Sequence, residues 1–482
     1  MLSQLDLVVI GMYLLLCVAI GIIAGGKPGD SVAYFKANGK IPWWASSFSV
    51  VATETSLLTV ISIPAVAYGG SLVFLQLVIG YIIGRFLVSW FILPSYFKGD
   101  LVTPYGFFSD RYGTAFRKLS SFVFLITRLL ADGVRLFAAA IPLKMITGLD
   151  YPTAIAIIAF LTLAYTYWGG IRSVIWIDVL QLFVYTFSAF VVLSYVWNSL
   201  DGAIFTTLAE HGKTVVFQLP ESWQDVFFTP YNLVGALIGG IFLTMASHGT
   251  DHIIVQRLLA CGDLRKARLA LITSGFIVFF QFLLFLLVGL LVYLFYTGAS
   301  FTALGLNNPD EILIHFVVNN IPSGLTGLFI AALFAAAMST LSSSLSALSS
   351  STIFDLFPKL AERGDALRVS RFMMVLWTLI FVAFASVFTD TNNPVIEIGL
   401  SIAGFTYGAL LGAFILGFYS DISTESATAA FLITIITMGF VIFYTDLAWP
   451  WFTPVGFLLN AITSFIFHKS IPSKRRTIIL ED

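Results

Sequence analysis

Residues 335–352 read "AAAMSTLSSSLSALSSST", and ten of the last fourteen carry a hydroxyl. Ser339, Ser342, Ser343 and Ser346 fall at i, i+3, i+4 and i+7, which is one stripe of a helix. Hydroxyl oxygens are hard, neutral ligands. Several of them, with carbonyls and one carboxylate, suit Na⁺, because hard cations prefer oxygen. Asp178, in "VIWIDVLQ", is such a carboxylate if the fold brings it near. The same serines also suit close packing, where small residues and Ser/Thr hydrogen bonds join membrane helices. Spacing leaves both readings open.

The second set of residues with chemical potential is charged and lies in apolar sequence. Glu54 stands in "VVATETSLLTVISIPA", Arg85 in the next apolar run, and Glu397 in "NPVIEIGLSIAG". Arg128, Asp132 and Arg135 sit at i, i+4 and i+7 in "TRLLADGVRLFAAA" and share one helix face. A centre-placed Arg or Asp costs roughly 2.5–3.5 kcal/mol to insert into a bilayer, so such residues pair or serve function. The Arg128 cluster reads equally as an ion-paired strut and as the polar wall of a solute cavity. Glu54 reads either as a partner of a buried arginine or as a cavity residue. Its Thr- and Ser-rich surroundings, with Pro64 downstream, predict local unwinding, which is tolerated at membrane depth only inside protein or beside a cavity.

The elements that must carry these groups are membrane helices. Of 482 residues, 58% are hydrophobic and only 11% charged, with a net charge of −1. Soluble domains carry about a quarter charged residues. Apolar runs near the ~20 residues needed to cross a bilayer recur throughout. They do not alternate as β-barrel strands do. Thirteen spans are expected, near 5–25, 43–69, 71–96, 119–147, 152–170, 174–196, 231–250, 268–297, 322–356, 370–388, 394–419, 424–443 and 447–468. The first is expected to be a retained helix rather than a cleaved signal, since it lacks a basic leader. Cys17 and Cys261 are expected to be unpaired. The scattered basic residues carry no nucleic-acid signal, and no metal-ligand cluster, nucleophile motif or nucleotide loop points to an enzyme. The largest external loop, about 197–230, is too short for an enzyme domain.

Alternate connections divide the basic residues sharply. Lys27, Lys36, Lys40, Lys98, Arg111, Arg117, Lys118, Arg172, Arg257, Arg265, Lys266, Arg268, Lys359, Arg363, Arg368, Arg371, Lys469, Lys474, Arg475 and Arg476 fall in one set, and Lys213 alone in the other. The positive-inside rule then places the N-terminus outside and the C-terminus in the cytoplasm of a plasma (inner) membrane.

Three segments resemble the sodium/solute symporter family, which includes sodium-coupled sugar, proline, pantothenate, iodide and sialic acid transporters. They are "YTYWGGIRSVIWIDVLQ" (165–181), "GTDHIIVQRLLACGDLRKARLA" (249–270) and "FAAAMSTLSSSLSALSSSTIFD" (334–355). "AYFKANGKIPWWASSFSVVATETS" (33–56) adds the entry to the first core helix. The match spans nearly the whole chain in order. It implies one all-α polytopic domain over 1–482, with five core helices (43–196) repeated in inverted topology (231–419). One extra helix (5–25) precedes them, two (424–468) follow, and 469–482 form a cytoplasmic tail. The first repeat would break around Ala52 to Ser56, the second near 243–251.

The resemblance further implies import of a small organic solute with Na⁺ by alternating access. The alternative is a proton-coupled symporter on the same scaffold, with Glu54 or Asp178 as carrier. Carried over by position, the first sodium site uses the carbonyls of Ala52, Thr55 and Ala336 and the hydroxyls of Ser339 and Thr340. A second would use Asp178, Ser339, Ser342 and Ser343. The solute stays open: the "RLLADGVR" face departs from the sialic acid members, and neither the sugar set nor the full proline signature is matched. Candidate cavity residues are Glu54, Ser56, Thr59, Phe74, Gln76, Asp132, Arg135 and His248. The oligomeric state is also left open.

Overall fold

The computed structural model describes residues 2–98, 101–387 and 395–470, and every element among them is helical. The side chain of Glu397 and the tail residues Lys474, Arg475 and Arg476 lie outside the described residues. The main helices are α1 (Gln4–Gly25), α2 (Trp43–Glu54), α3 (Leu57–Gly69), α4 (Leu75–Leu87), α5 (Thr114–Thr147), α6 (Tyr151–Asn198), α7 (Leu233–Gly249), α8 (His252–Leu259), α9 (Leu264–Phe295), α10 (Leu325–Ser351), α11 (Ala366–Val387), α12 (Val395–Tyr419), α13 (Thr424–Tyr444) and α14 (Phe452–Ser470). Among the described residues nine helices are long and apolar enough to span a bilayer, or ten if α2 and α3 form one bent span. Leu15, Phe187, Phe280 and Ile436 point outward, as suits side chains that meet hydrocarbon rather than water. Both cysteines are free and buried.

Three breaks shape the interior. The first separates α2 from α3, whose axes differ by 65°. Thr55 and Ser56 are extended there, and the Ser56 amide turns back to the Glu54 carbonyl at 3.1 Å. The Ala52 carbonyl thereby loses its i+4 donor, as the unwinding expected near Glu54 requires. The second break, at Thr250 and Asp251, ends α7, and Asp251 caps α8 by accepting from the Ile253 amide at 2.9 Å. The third lies inside α6 at Gly170, with φ 57° and ψ −143°. Two spans, 152–170 and 174–196, were expected here with a short connection. The chain instead turns at one residue, because only glycine fits: a Cβ would stand 2.2 Å from the Tyr34 carbonyl oxygen.

From Phe329 onward α10 is buried around its whole circumference, and its serines from Ser339 to Ser351 are all inaccessible. The hydroxyls therefore do not form a single facing stripe; they meet different neighbours on every side. α1 packs on the start of α10 through Asp6, whose carboxylate accepts from the Gly324 and Gly327 amides at 2.7 Å each. A helix of ten residues, Glu311–Asn320, occupies the stretch between α9 and α10. It falls between the expected spans 268–297 and 322–356 and is too short to cross a bilayer.

Candidate functional site

The first two breaks, with α5, α10 and α12, enclose a cavity of about 120 Å³. Its wall includes Thr53, Glu54, Ser56, Thr59, Phe74, Tyr81, Arg128, Asp132, Arg135, Thr244, Ser247, His248, Ile253, Ile254, Phe282, Thr340, Ser344 and Tyr407. Seven of the eight residues expected in a solute cavity are therefore on its wall. Gln76 is not. It is fully buried, donates to the carbonyls of Val73 at 3.0 Å and Tyr231 at 2.9 Å, and accepts from the Gln218 amide at 3.0 Å. It ties down the 197–230 loop, so its amide has little left for a solute.

The charges around the cavity form two groups. Glu54 accepts from Arg85 of α4, and His248 Nε2 lies 3.5 Å from the same carboxylate oxygen. Arg85 and His248 touch at 3.0 Å, and His248 meets Ser247 at 2.9 Å. In the second group Arg128 donates to Asp251 and, at 2.5 Å, to the Tyr407 hydroxyl. Asp132 accepts from Arg135 at 2.6 Å and Ser344 at 2.5 Å, with Arg128 at 3.6 Å. Each carboxylate thus has an arginine, as burial demands. The side chain of Arg135 is 21% exposed, against 9% for Arg128 and 1% for Asp132. Arg135 is the cation most open to the cavity.

The residues expected at a first sodium site are brought onto two adjoining helices. Ala52 and Thr55 flank the α2–α3 break, and neither carbonyl receives a backbone hydrogen bond among those described. Ala336, Ser339 and Thr340 are buried on α10, where Thr340 Oγ1 donates to the Ala336 carbonyl at 3.2 Å. Thr53 Oγ1 and Ser343 Oγ, 3.2 Å apart, join the two helices. The residues expected at a second site lie on α6 and α10. Ser339 donates to Asp178 at 2.7 Å, while Ser342 and Ser343 donate to the Ser339 carbonyl at 3.0 and 2.6 Å. Arg257 stands among them, 2.9 Å from Asp178. It had been counted with the basic connections, yet it is fully buried in α8. Arg257, Asp251, Tyr81 and Tyr407 were not singled out as site residues. Only the segment 249–270 takes in any of them, Asp251 and Arg257.

The profile of the sodium:solute symporter family matches residues 34–437. The chain belongs to that family. The sodium/sialic acid symporter NanT of Aliivibrio fischeri is 28% identical over 96% of this chain and 93% of its own length. The human sodium/iodide cotransporter is 25% identical over 84% of this chain and 66% of its own. A solved Na⁺-coupled sialic acid symporter, in a substrate-bound outward-open state, superimposes with a TM-score of 0.85 at 25% identity, covering 98% of this chain and all of that one. This member is a sodium-coupled symporter of the multi-pass membrane class, not an enzyme. The arrangement agrees with sodium as the coupling ion: Glu54 and Asp178, the two candidate proton carriers, are each paired with an arginine.

Proposed function

We propose that this symporter imports a small organic anion with Na⁺ by alternating access, the solute binding in the cavity between α2, α3, α5, α7 and α10. One observation carries the reading. Carbonyls freed at the α2–α3 break lie on a helix bonded to the hydroxyl-rich α10, so oxygens suited to Na⁺ adjoin a cavity whose wall carries Glu54, Asp132, Arg135 and several hydroxyls. Ala52, Thr55, Ala336, Ser339 and Thr340 hold the first ion. Asp178, Ser339, Ser342 and Ser343 hold a second. Glu54, Ser56, Thr59, Phe74, Asp132, Arg135 and His248 face the solute. Broken helices supply such sites in transporters because unwound carbonyls can take the ion's hydration oxygens' place.

An anionic solute is favoured by Arg135. One terminal nitrogen donates to Asp132, and the side chain, 21% exposed, lines the cavity with N–H groups to spare; arginine suits planar carboxylates. Relatives named for sialic acid and iodide carry anions. Thirteen crossings result when α2–α3 is one bent span and α6 is divided at Gly170. At 1.5 Å per residue α6 would otherwise run about 72 Å, over twice the ~30 Å hydrocarbon thickness. The two five-helix groups, 43–196 and 231–419, form an inverted repeat, each opening on a broken helix. The N-terminus lies outside and the C-terminus in the cytoplasm of the inner membrane, and the charge bias survives removal of buried Arg257.

The test is a thermal-shift screen of small carboxylates, amino acids and sugars, each with Na⁺ or choline. A carboxylate that stabilises only with Na⁺ supports the reading by linkage. Stabilisation by neutral sugars alone, or equally in choline, contradicts it.

A further inference from the structure

Arg257 ends "HIIVQR" on α8 and is fully buried. Its guanidinium is engaged on every nitrogen. Nε donates to Ser49 Oγ at 2.8 Å and one terminal nitrogen to the Ile253 carbonyl at 2.8 Å. The other terminal nitrogen donates to Asp178 Oδ2 at 2.9 Å and to Ser343 Oγ at 2.5 Å. Asp178 is equally buried. It accepts Ser49 on the same oxygen at 2.5 Å and Ser339 on the other at 2.7 Å. Two of the four groups read as a second sodium site, Asp178 and Ser343, therefore already face a cation that belongs to the protein.

The chemistry makes this an exchange site. A buried carboxylate needs a positive partner, and losing it is strongly destabilising. A sodium ion needs oxygen lone pairs, and here Asp178 Oδ2 and Ser343 Oγ spend theirs on Arg257 N–H groups. Two cations at one carboxylate oxygen repel each other. We infer that Arg257 is a tethered competitor of sodium at Asp178: it holds the carboxylate while the ion is absent and yields it when the ion arrives. This rests on the reading of Asp178, Ser339, Ser342 and Ser343 as a second sodium site. Because the competitor is attached, its local concentration is fixed, and sodium must outcompete it at every cycle.

The tether also joins the ion to the solute cavity. Arg257 holds the Ile253 carbonyl, and Ile253 and Ile254 lie on the cavity wall one turn away. At the start of the same short helix Asp251 holds Arg128 and Tyr407. Release of Arg257 therefore loosens α8 at the end opposite its cavity contacts. Sodium at Asp178 is felt by the solute through one eight-residue helix.

A purely supporting role for Arg257, orienting Asp178 for the ion, predicts the opposite sign on its removal. The experiment uses the full chain in lipid nanodiscs without solute. Radioactive sodium binding and melting temperature are followed as Na⁺ replaces choline at constant ionic strength. Arg257→Gln should raise the apparent affinity of the Asp178-dependent ion about tenfold and enlarge the sodium-dependent rise in melting temperature. Arg257→Lys, a single point charge without the fork, should fall between Arg257→Gln and the wild type. Adding Asp178→Asn to Arg257→Gln should erase the gain. A fall or no change in sodium affinity in the Arg257 variants overturns the exchange. If Arg257→Gln does not fold, Arg257→Lys decides by the same signs. The underlying site is judged separately. If Asp178→Asn leaves the number of bound ions unchanged while Thr340→Ala still weakens binding, the second-site reading fails and the exchange fails with it. If Asp178→Asn removes one ion but the Arg257 variants gain nothing, only the exchange is overturned.

Discussion

Residues of the same type do different work here, and their partners separate them. On α10, Thr340 borders both the cavity and the Ala336 carbonyl, whereas Ser350 is buried with no hydrogen-bond partner described for its hydroxyl. Thr340→Ala should weaken apparent Na⁺ affinity roughly tenfold, about 1.4 kcal/mol, in sodium-dependent uptake. Ser350→Ala should leave affinity unchanged and cost no stability, since it removes a buried hydroxyl that has no bond to lose. Equal effects would make the whole serine run packing. The arginines divide in the same way. Arg135→Gln should keep protein yield, because Asp132 retains Ser344 and Arg128, and should weaken solute binding at least tenfold, about 1.4 kcal/mol. Arg128→Gln leaves Asp251 buried without its cation and should cost about 3–5 kcal/mol, read as lost yield in a fluorescence-detected size-exclusion assay. The reverse ranking would move Arg135 out of the cavity list.

At the scale of elements, the proposed sites lie where helices stop. The α2–α3 break frees the carbonyls, the α7–α8 break supplies Asp251, and the turn in α6 lets one long element pack against both α1 and α10. Gly170→Ala should lower the melting temperature substantially. A positive φ with ψ near −143° is open essentially to glycine alone and costs a residue with Cβ roughly 1–3 kcal/mol, and the methyl would also meet the Tyr34 carbonyl 2.2 Å away. Gly29→Ala, where nothing lies within 4 Å, is the control and should shift the melting temperature little. A similar shift for both would mean that α6 does not need its sharp turn.

At the scale of the molecule, the orientation is open to direct test. Cys17 and Cys261 are buried, so the wild type offers a quiet background to a membrane-impermeant thiol reagent. Trp223→Cys, at an exposed position that starts a short helix before α7, should label in intact cells. Lys469→Cys should label only after permeabilisation. Labelling of both from one side would overturn the odd number of crossings. Labelling of Lys469→Cys alone in intact cells would invert the topology.

Much of this protein was legible before any coordinates, for a physical reason. Bilayer insertion is decided segment by segment, so apolar runs announce the helices and the rarity of charge within them makes Glu54, Arg128, Asp132, Arg135 and Asp178 conspicuous. Unwinding near Glu54 was legible too, since Thr, Ser and Pro64 weaken a helix locally. Partnership was not. That Glu54 meets Arg85, that Arg128 meets Asp251 rather than Asp132 most closely, and that Gln76 serves a loop depend on contacts between distant segments, which no local pattern encodes. Arg257 shows this most clearly. Its sequence neighbours, among basic residues after a span, read as a cytoplasmic connection. Only the packing of α8 between α2 and α10 turns its charge inward, onto Asp178, the carboxylate that the family resemblance offers to a second sodium ion.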